Sequence, residues 1–446
     1  MVNDMTRQDE TTFDERNRSE TVMRDKRNNA KTGPGARRRA TAVLAMGVLL
    51  VSAGGCESLL DVEIPGSVQA SDLDNPALAP TLYFSALGSF ECAYTNYVAT
   101  VAVLTEEYIV SSAWLNDNIW GWRGPETKQA AGNCSNNRDA SGFGAYTPLQ
   151  QARFLAEDII DRLNNFEDAE VPNRAKMLAS LQAYTGYTYT LLGEGFCEMS
   201  IDEGPLMQPA QVLAIAEKYF TDGIAAATAA GDENIRLLAL LGRARVRLDL
   251  GKDAEAATDA AGIPAGWSFD ATYSTIQGSR ENRIYNITIR NSYLSVAPEY
   301  RGLQVAGEPD PRVRVEDTGV KGHDGETPQW IQLKYPSADA PIRMASWEEA
   351  QLIIAEAKGG ADAVNAINQL RAAQGIAPLE NPNLSNMLPT VLEERRRQLF
   401  TEGHRLNDML RHSIPFPTGT NHKGQTYGPT TCIWLPDQER NNNPNL

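Results

Sequence analysis

Three of the seven tryptophans fall within nine positions, Trp114, Trp120 and Trp122, interleaved with Asn116, Asp117, Asn118 and Arg123. Flat apolar rings beside short amides, a carboxylate and a guanidinium match the two-sided chemistry of a sugar, whose CH faces are rimmed by hydroxyls. The stretch follows a helical pattern around Thr100 to Ser112, and its Asn, Asp and Gly content suits an exposed loop better than a core. Tyr293, Tyr300 and Trp330 are candidates to complete the rim. The competing use of these aromatics is to pack loops onto helices or to contact a partner protein. A peptide can also exploit them through its own apolar side chains.

Residues that would carry a reaction are not arranged for one. No nucleophile elbow, HExxH helix, phosphate-cradling glycine loop or complete dinucleotide fingerprint is present. His323, His404, His412 and His422 have no ligand spacing, and His404 and His412 read as surface residues near the end of one helix. No CxxC or Cys/His spacing suggests zinc, so neither metal nor cofactor is expected. The adjacent carboxylates Glu106 and Glu107 show no sign of surroundings that would split their pKa values for glycoside hydrolysis. An exported glycoside hydrolase is therefore the weakest functional class.

The segment Ala36-Arg37-Arg38-Arg39 precedes an uncharged run from Ala40 to Gly55, whose apolar centre spans Ala42 to Val51. That centre is far shorter than the roughly 20 residues a helix needs to cross a bilayer. A basic flank, a short apolar stretch and small residues are the layout of a secretory signal peptide. Ser52-Ala53-Gly54-Gly55-Cys56 resembles a bacterial lipobox, with Ala53 in place of the usual Leu, and marks Cys56 for a diacylglyceryl group. The alternative is an ordinary cleaved signal with Cys56 in a disulfide. Residues 1–39 hold ten basic and seven acidic side chains, an overlong leader, so translation starts at Met1 or at Met23. Export makes disulfides possible among Cys92, Cys134, Cys197 and Cys432. Of the three pairings, Cys92 with Cys134 and Cys197 with Cys432 is favoured: the first would clamp a polar loop region, the second would tie the C-terminal tail to the helical body. Four buried thiols are the alternative.

The elements that must position these residues are mainly helical. Apolar positions recur at three- and four-residue intervals from Pro148 through Phe154, Leu155, Ile159, Ile160 and Leu163. A second helix follows Pro172 and carries Met177, Leu178, Leu181, Tyr184, Tyr187 and Leu191, with a stop at Gly193. Further helices are expected over Pro209 to Ala230, Ile235 to Leu250, and after Gly251. Gly186 with Gly193, and Ala244 with Gly251, approximate the small-residue register of tetratricopeptide-like helix pairs, where small side chains let helices approach closely.

Residues 265–341 break the pattern, and alternation at Asn286-Ile287-Thr288-Ile289 suggests a short strand or two within long loops. Helix resumes at a capping box, Ser346-Trp347-Glu348-Glu349. A partner helix after Gly359-Gly360 carries Val364, Ile367, Leu370 and Ala373. One last long helix is expected over Val391 to Arg411, its interleaved charges satisfying one another at helical spacing. With 42% hydrophobic and 22% charged residues the chain has the apolar content to fold. Its formal charge of −16 repels polyanions, which excludes nucleic acid as a partner. The expected class is mostly α: tetratricopeptide-like helical repeats with an irregular, loop-rich insertion containing short strands. The division is 1–55 leader and lipoprotein signal peptide and 56–446 helical body, within which 265–341 is the insertion and 342–446 the C-terminal helical region.

Several segments together resemble the SusD/RagB family of outer-membrane nutrient-uptake lipoproteins. They are Leu352-Ile353-Ile354-Ala355-Glu356-Ala357 and Ala366-Ile367-Asn368-Gln369-Leu370-Arg371, then Glu393-Glu394-Arg395-Arg396-Arg397-Gln398-Leu399, Glu402-Gly403-His404-Arg405 and Asp408-Met409-Leu410-Arg411. Gln398 and Met409 stand where Glu and Leu are usual in the family. The closing Leu435-Pro436, Glu439 and Asn443-Pro444 look like its terminal signature, with Leu435 for Ile. The resemblance implies a lipid-anchored protein, exposed on the outer membrane, that binds an oligosaccharide or peptide and closes over a SusC-like TonB-dependent transporter. By position it implies glycan contacts at Trp114, Asn118 and Trp120. The competing reading is an exported helical-repeat scaffold that binds a protein or peptide.

Overall fold

The computed structural model describes residues 70–446, apart from 125, 127, 129, 130, 140 and 141. Both possible start sites, the signal peptide and Cys56 lie outside the described residues. No helix among the described residues is long and apolar enough to cross a membrane.

Thirteen α-helices carry the described chain, and the fold is the mostly α, helical-repeat architecture. The first half comprises α1 (Ala79–Leu104), α2 (Leu115–Gly121), α3 (Tyr146–Asn164), α4 (Arg174–Gly195), α5 (Pro209–Ala229), α6 (Glu233–Asp249) and α7 (Asp253–Ala260). After a single turn, α8 (Arg283–Tyr285), come α9 (Trp347–Lys358), α10 (Gly360–Ala373), α11 (Leu388–Gln398), α12 (Arg405–Arg411) and α13 (Asp437–Asn442). Consecutive helices pack on one another from α3 to α7, and α7 passes the stack on to α9 and α10. The second half of α1, from Phe90 to Leu104, is buried on every side, with Glu91, Thr95, Asn96 and Thr100 among its apolar residues, so this helix is the hub of the core.

Small residues set how close the helices come. A Cβ at Gly186 of α4 would lie 2.7 Å from the Phe220 ring of α5, and one at Gly242 of α6 would lie 2.3 Å from it. The ring is clasped between two hydrogen-only surfaces; Gly186 belongs to the small-residue register read from sequence, whereas Gly242 does not, and a Cβ at Gly251 would meet nothing within 4 Å. Helix α4 runs on past Gly193 to Gly195. Two disulfides, Cys92–Cys134 and Cys197–Cys432, fasten α1 to the loop before α3 and the end of α4 to the C-terminal segment.

Four two-stranded antiparallel sheets serve the insertion and its surroundings. Strand β1 (Tyr108–Val110) pairs with β3 (Leu294–Val296), and β2 (Ser268–Ala271) with β8 (Ile342–Ser346). Strand β4 (Gln304–Val305) pairs with β5 (Glu308–Pro309), and β6 (Val315–Lys321) forms a hairpin with β7 (Pro328–Gln332). The helix expected to run to Ser112 ends at Leu104, and β1 follows. Asn286–Arg290 is a π-helical turn and not a strand. The Asn282 side chain accepts from Tyr285 N (3.1 Å) and Thr288 donates to Ile284 O (2.6 Å), local bonds that curl the backbone. At the start of α9, Ser346 accepts from Glu349 N (3.1 Å), one half of the expected capping box; the Glu349 side chain is buried instead.

The long helix expected over Val391 to Arg411 is two helices around a buried corner. Thr401 (φ 60°) and Gly403 (φ 86°) reverse the chain there. Side chains replace the lost helical bonds: Glu107 accepts from Thr401 N (2.9 Å), Tyr335 donates to Thr401 O (3.0 Å) and Tyr94 donates to Glu402 O (3.1 Å). Nor do the charges of this region mainly satisfy their own helix. Glu393 pairs locally with Arg396 and Arg397, but Glu394 binds Arg312 and Arg371, Arg395 binds Asp408, and Arg411 reaches Glu356 and Asp249. His404 is buried beside Arg245, itself paired with Glu194, and is not a surface residue; His412 is partly buried against Glu356. The closing signature is packed as well: Leu435 is buried, Glu439 accepts from Tyr146 (2.7 Å) and Asn443 donates to Ser200 (2.7 Å).

Candidate functional site

After α1 the chain turns at Glu106 (φ 53°), runs through β1 and enters α2 at Trp114, whose extended backbone caps the helix. The Trp114 indole is 51% exposed. It stacks against the exposed His323 ring at 5.6 Å with 27° between planes, and Tyr293 meets His323 edge-on at 5.0 Å. Three separate segments thus build one aromatic ledge. Leu115 and Val320, both largely exposed, belong to the same α2 and hairpin segments.

The ledge is held from beneath by a dense set of hydrogen bonds. His323 sits on the β6–β7 turn; its Nδ1 accepts from Ala113 N (3.1 Å), which leaves the ring hydrogen on Nε2. Its backbone N donates to Ser292 O, and Asp324 N donates to Ser111 O. At Gly322 a Cβ would come 2.4 Å from the Ser111 Cβ, so only glycine lets the turn approach β1 this closely.

Asn118 donates to both Ser112 O (2.9 Å) and Trp114 O (2.8 Å). Lys423 completes the support, donating to Ser112 O (2.8 Å) and Asn118 Oδ1 (2.9 Å) and pairing with Asp324 (2.8 Å). Burial opposes the Asp324 charge, yet bonds from Lys423 and Thr327 hold its carboxyl well below the usual carboxylate range. Burial pushes the His422 pKa down, and its Nε2 donates to Val110 O (2.9 Å).

The residues expected from sequence divide into two groups. Trp114 and Tyr293 lie on the ledge, and Asn116 is exposed beside a cavity of about 460 Å³. Burial takes the others off it. Trp120 is 1% exposed and packs edge-on against Phe143, because α2 turns Asp117, Asn118 and Trp120 inward. The stretch is a helix, not the loop its composition suggested. Arg123 is buried between the Phe416 and Tyr427 rings, at 5.3 and 4.7 Å, and Trp122 is half-buried. Tyr300 is buried against Phe400, and Trp330 is half-buried under Arg301. His323 was missed by the sequence reading, which tested histidines only for metal spacing. Its place between Gly322 and Gly325, where a hairpin turn is readable, was the available signal.

Among the described residues no His, Cys, Asp and Glu cluster could hold a metal. The Glu106 and Glu107 carboxyls do sit in unusual surroundings, contrary to the sequence reading. Burial pushes both up to about 7, with Glu299 adding to the effect at Glu106. Both move in the same direction, whereas glycoside hydrolysis separates an acid from a base. Glu107 is also buried and bonded to Thr401 N.

A repeat-built helical body thus presents an aromatic ledge assembled from the start of α2, the segment before β3 and the β6–β7 turn. Residues 268–444 match the sequence model of the SusD family. The chain is similar to a solved SusD-like carbohydrate binding protein from Bacteroides vulgatus, with 16% identity and a TM-score of 0.59, covering 83% of this chain and 97% of that one. A surface glycan-binding protein A from Bacteroides uniformis gives 15% identity and a TM-score of 0.60, covering 83% and 98%. A laminarin binding SusD-like protein gives 16% and 0.58, covering 82% and 98%. At these identities the likeness is one of fold. No curated protein matches the chain.

Proposed function

We propose that this protein is a non-enzymatic, cell-surface lipoprotein, anchored through Cys56 in the outer membrane, that holds an oligosaccharide and delivers it to a TonB-dependent transporter. The ledge of Trp114, His323 and Tyr293 carries the reading. Exposed stacked rings over a fully bonded polar foundation suit a sugar's CH face, and the His323 Nε2 hydrogen is available to a hydroxyl. The match of residues 268–444 to the SusD family model and the glycan-binding names of the similar structures support it.

Calorimetric titration of the purified protein with a panel of neutral polysaccharides tests the proposal. At least one is expected to bind, and Trp114→Ala is expected to weaken it about tenfold or more, roughly 1.4 kcal/mol. Titration with an oligopeptide library is the counterpart. Peptide binding with no saccharide binding would replace the cargo, and co-purification with a large barrel protein would support the transporter partnership.

A further inference from the structure

At the end of the β6–β7 hairpin opposite His323 lies a cavity of about 820 Å³ that shares no residue with the ledge. Arg314, just before β6, and Leu333, just after β7, line it, and Leu333 N donates to Arg314 O (2.9 Å). The connection from Lys334 to Pro341, strand β8 and the first turn of α9 supply much of the remaining wall. The one aromatic residue of the lining is Tyr335, which is buried and spends its hydroxyl on Thr401 O (3.0 Å). A sugar ring would find no face to stack on here, in contrast to the ledge.

The charges of the cavity are of both signs and only partly consumed. Arg312 is closed off by Asp310 and Glu394, and Lys334 by Phe400 O (2.9 Å) and Glu402 (2.6 Å). Arg343 commits its Nε to Asp270, and its two terminal nitrogens have no partner among the described residues. Arg314 is exposed and makes no ion pair or side-chain hydrogen bond among the described residues; the same holds for the half-buried Glu348 carboxylate. Asp339, exposed at the rim, accepts from Ser337 and meets no cation. Unspent guanidinium and carboxylate groups in one cleft offer charge-assisted bonds to a ligand that itself carries both signs, and only weaker bonds to an uncharged one.

We infer that this cavity is a second ligand site, which takes a short peptide by its free ends: Arg314 and Arg343 receive the α-carboxylate and Glu348 the α-ammonium. The site stands apart from the glycan surface proposed above and does not depend on it.

Calorimetric titration of the purified protein with alanine peptides of two, three and four residues, each also as its N-acetyl and its C-amide form, tests it. At least one free peptide is expected to bind, and each of its blocked forms to bind about tenfold more weakly, the loss of one charge-assisted contact. Arg314→Gln should remove the discrimination against the amide and keep that against the acetylated form; Glu348→Gln should do the reverse. Trp114→Ala should leave peptide affinity unchanged. The inference is overturned if no free peptide binds, if the blocked forms bind as tightly as their parent, or if both variants keep full discrimination. It is equally overturned if Trp114→Ala removes the peptide, which would put it on the ledge. A neutral oligosaccharide lost in Arg314→Gln and retained in Trp114→Ala would make the cavity a sugar site instead.

Discussion

Trp114 and Trp120 are six residues apart and differ in kind. One caps α2 and faces solvent; the other, on the inner side of the same seven-residue helix, is core. Composition placed both on one surface because it registers residue types and not the 3.6-residue period within so short an element. His323 was illegible for another reason: its partner Ala113 lies 210 positions away, and no local pattern reports that contact. The supporting residues are similarly distant. Lys423→Met removes three bonds and leaves Asp324 without its cation, which should cost about 1–3 kcal/mol of stability. Because the loss falls on Ser112 and Asn118, which hold Trp114, saccharide affinity should drop by more than threefold while the far-ultraviolet circular dichroism stays unchanged. Undiminished affinity in a folded Lys423→Met protein would show that Asn118 alone suffices.

At the scale of elements, the helices from Pro148 to Leu250 were readable because their apolar periodicity is long and their punctuation local. Close approach at Phe220 comes from Gly186, which the register contained, and from Gly242, which it did not. Gly242→Ala drives a methyl to 2.3 Å from that ring and should destabilise the protein by about 1–3 kcal/mol, seen as a lower melting temperature. Phe220→Leu added to Gly242→Ala should recover part of the loss; if it deepens the loss instead, the ring is not the obstacle. The corner at Thr401 was hidden because the groups that replace its helical bonds, Glu107 and Tyr94, come from the other end of the chain. The strand assigned at Asn286 failed where Asn282 and Thr288 bond their own backbone more effectively than alternation suggests.

Across the whole molecule, buried charge sets how stability responds to pH. Burial raises Glu106, Glu107 and Glu349 from 4.5 to about 7 in the folded state. Between those values the unfolded chain has released protons that the folded chain retains, so stability falls as pH climbs through this window. Asp310 and Glu356 act in the opposite sense. Against the effect of burial, Arg312 holds the first and Arg395 with His412 the second at about 2, so their contribution is present above about pH 4 and is lost toward pH 2. The melting temperature should therefore be higher at pH 5 than at pH 8, and Glu349→Gln should shrink that difference. A melting temperature that rises steadily from pH 5 to pH 8 would contradict this assignment.

The Lys423 contacts and the Cys197–Cys432 bond have a consequence for biogenesis. Because the final thirty residues both brace Trp114 and lock onto α4, a nascent polypeptide interrupted before Lys423 lacks the strut that orients the indole. The indole's setting thus depends on a contact between Lys423 and Ser112, residues 311 positions apart in the chain.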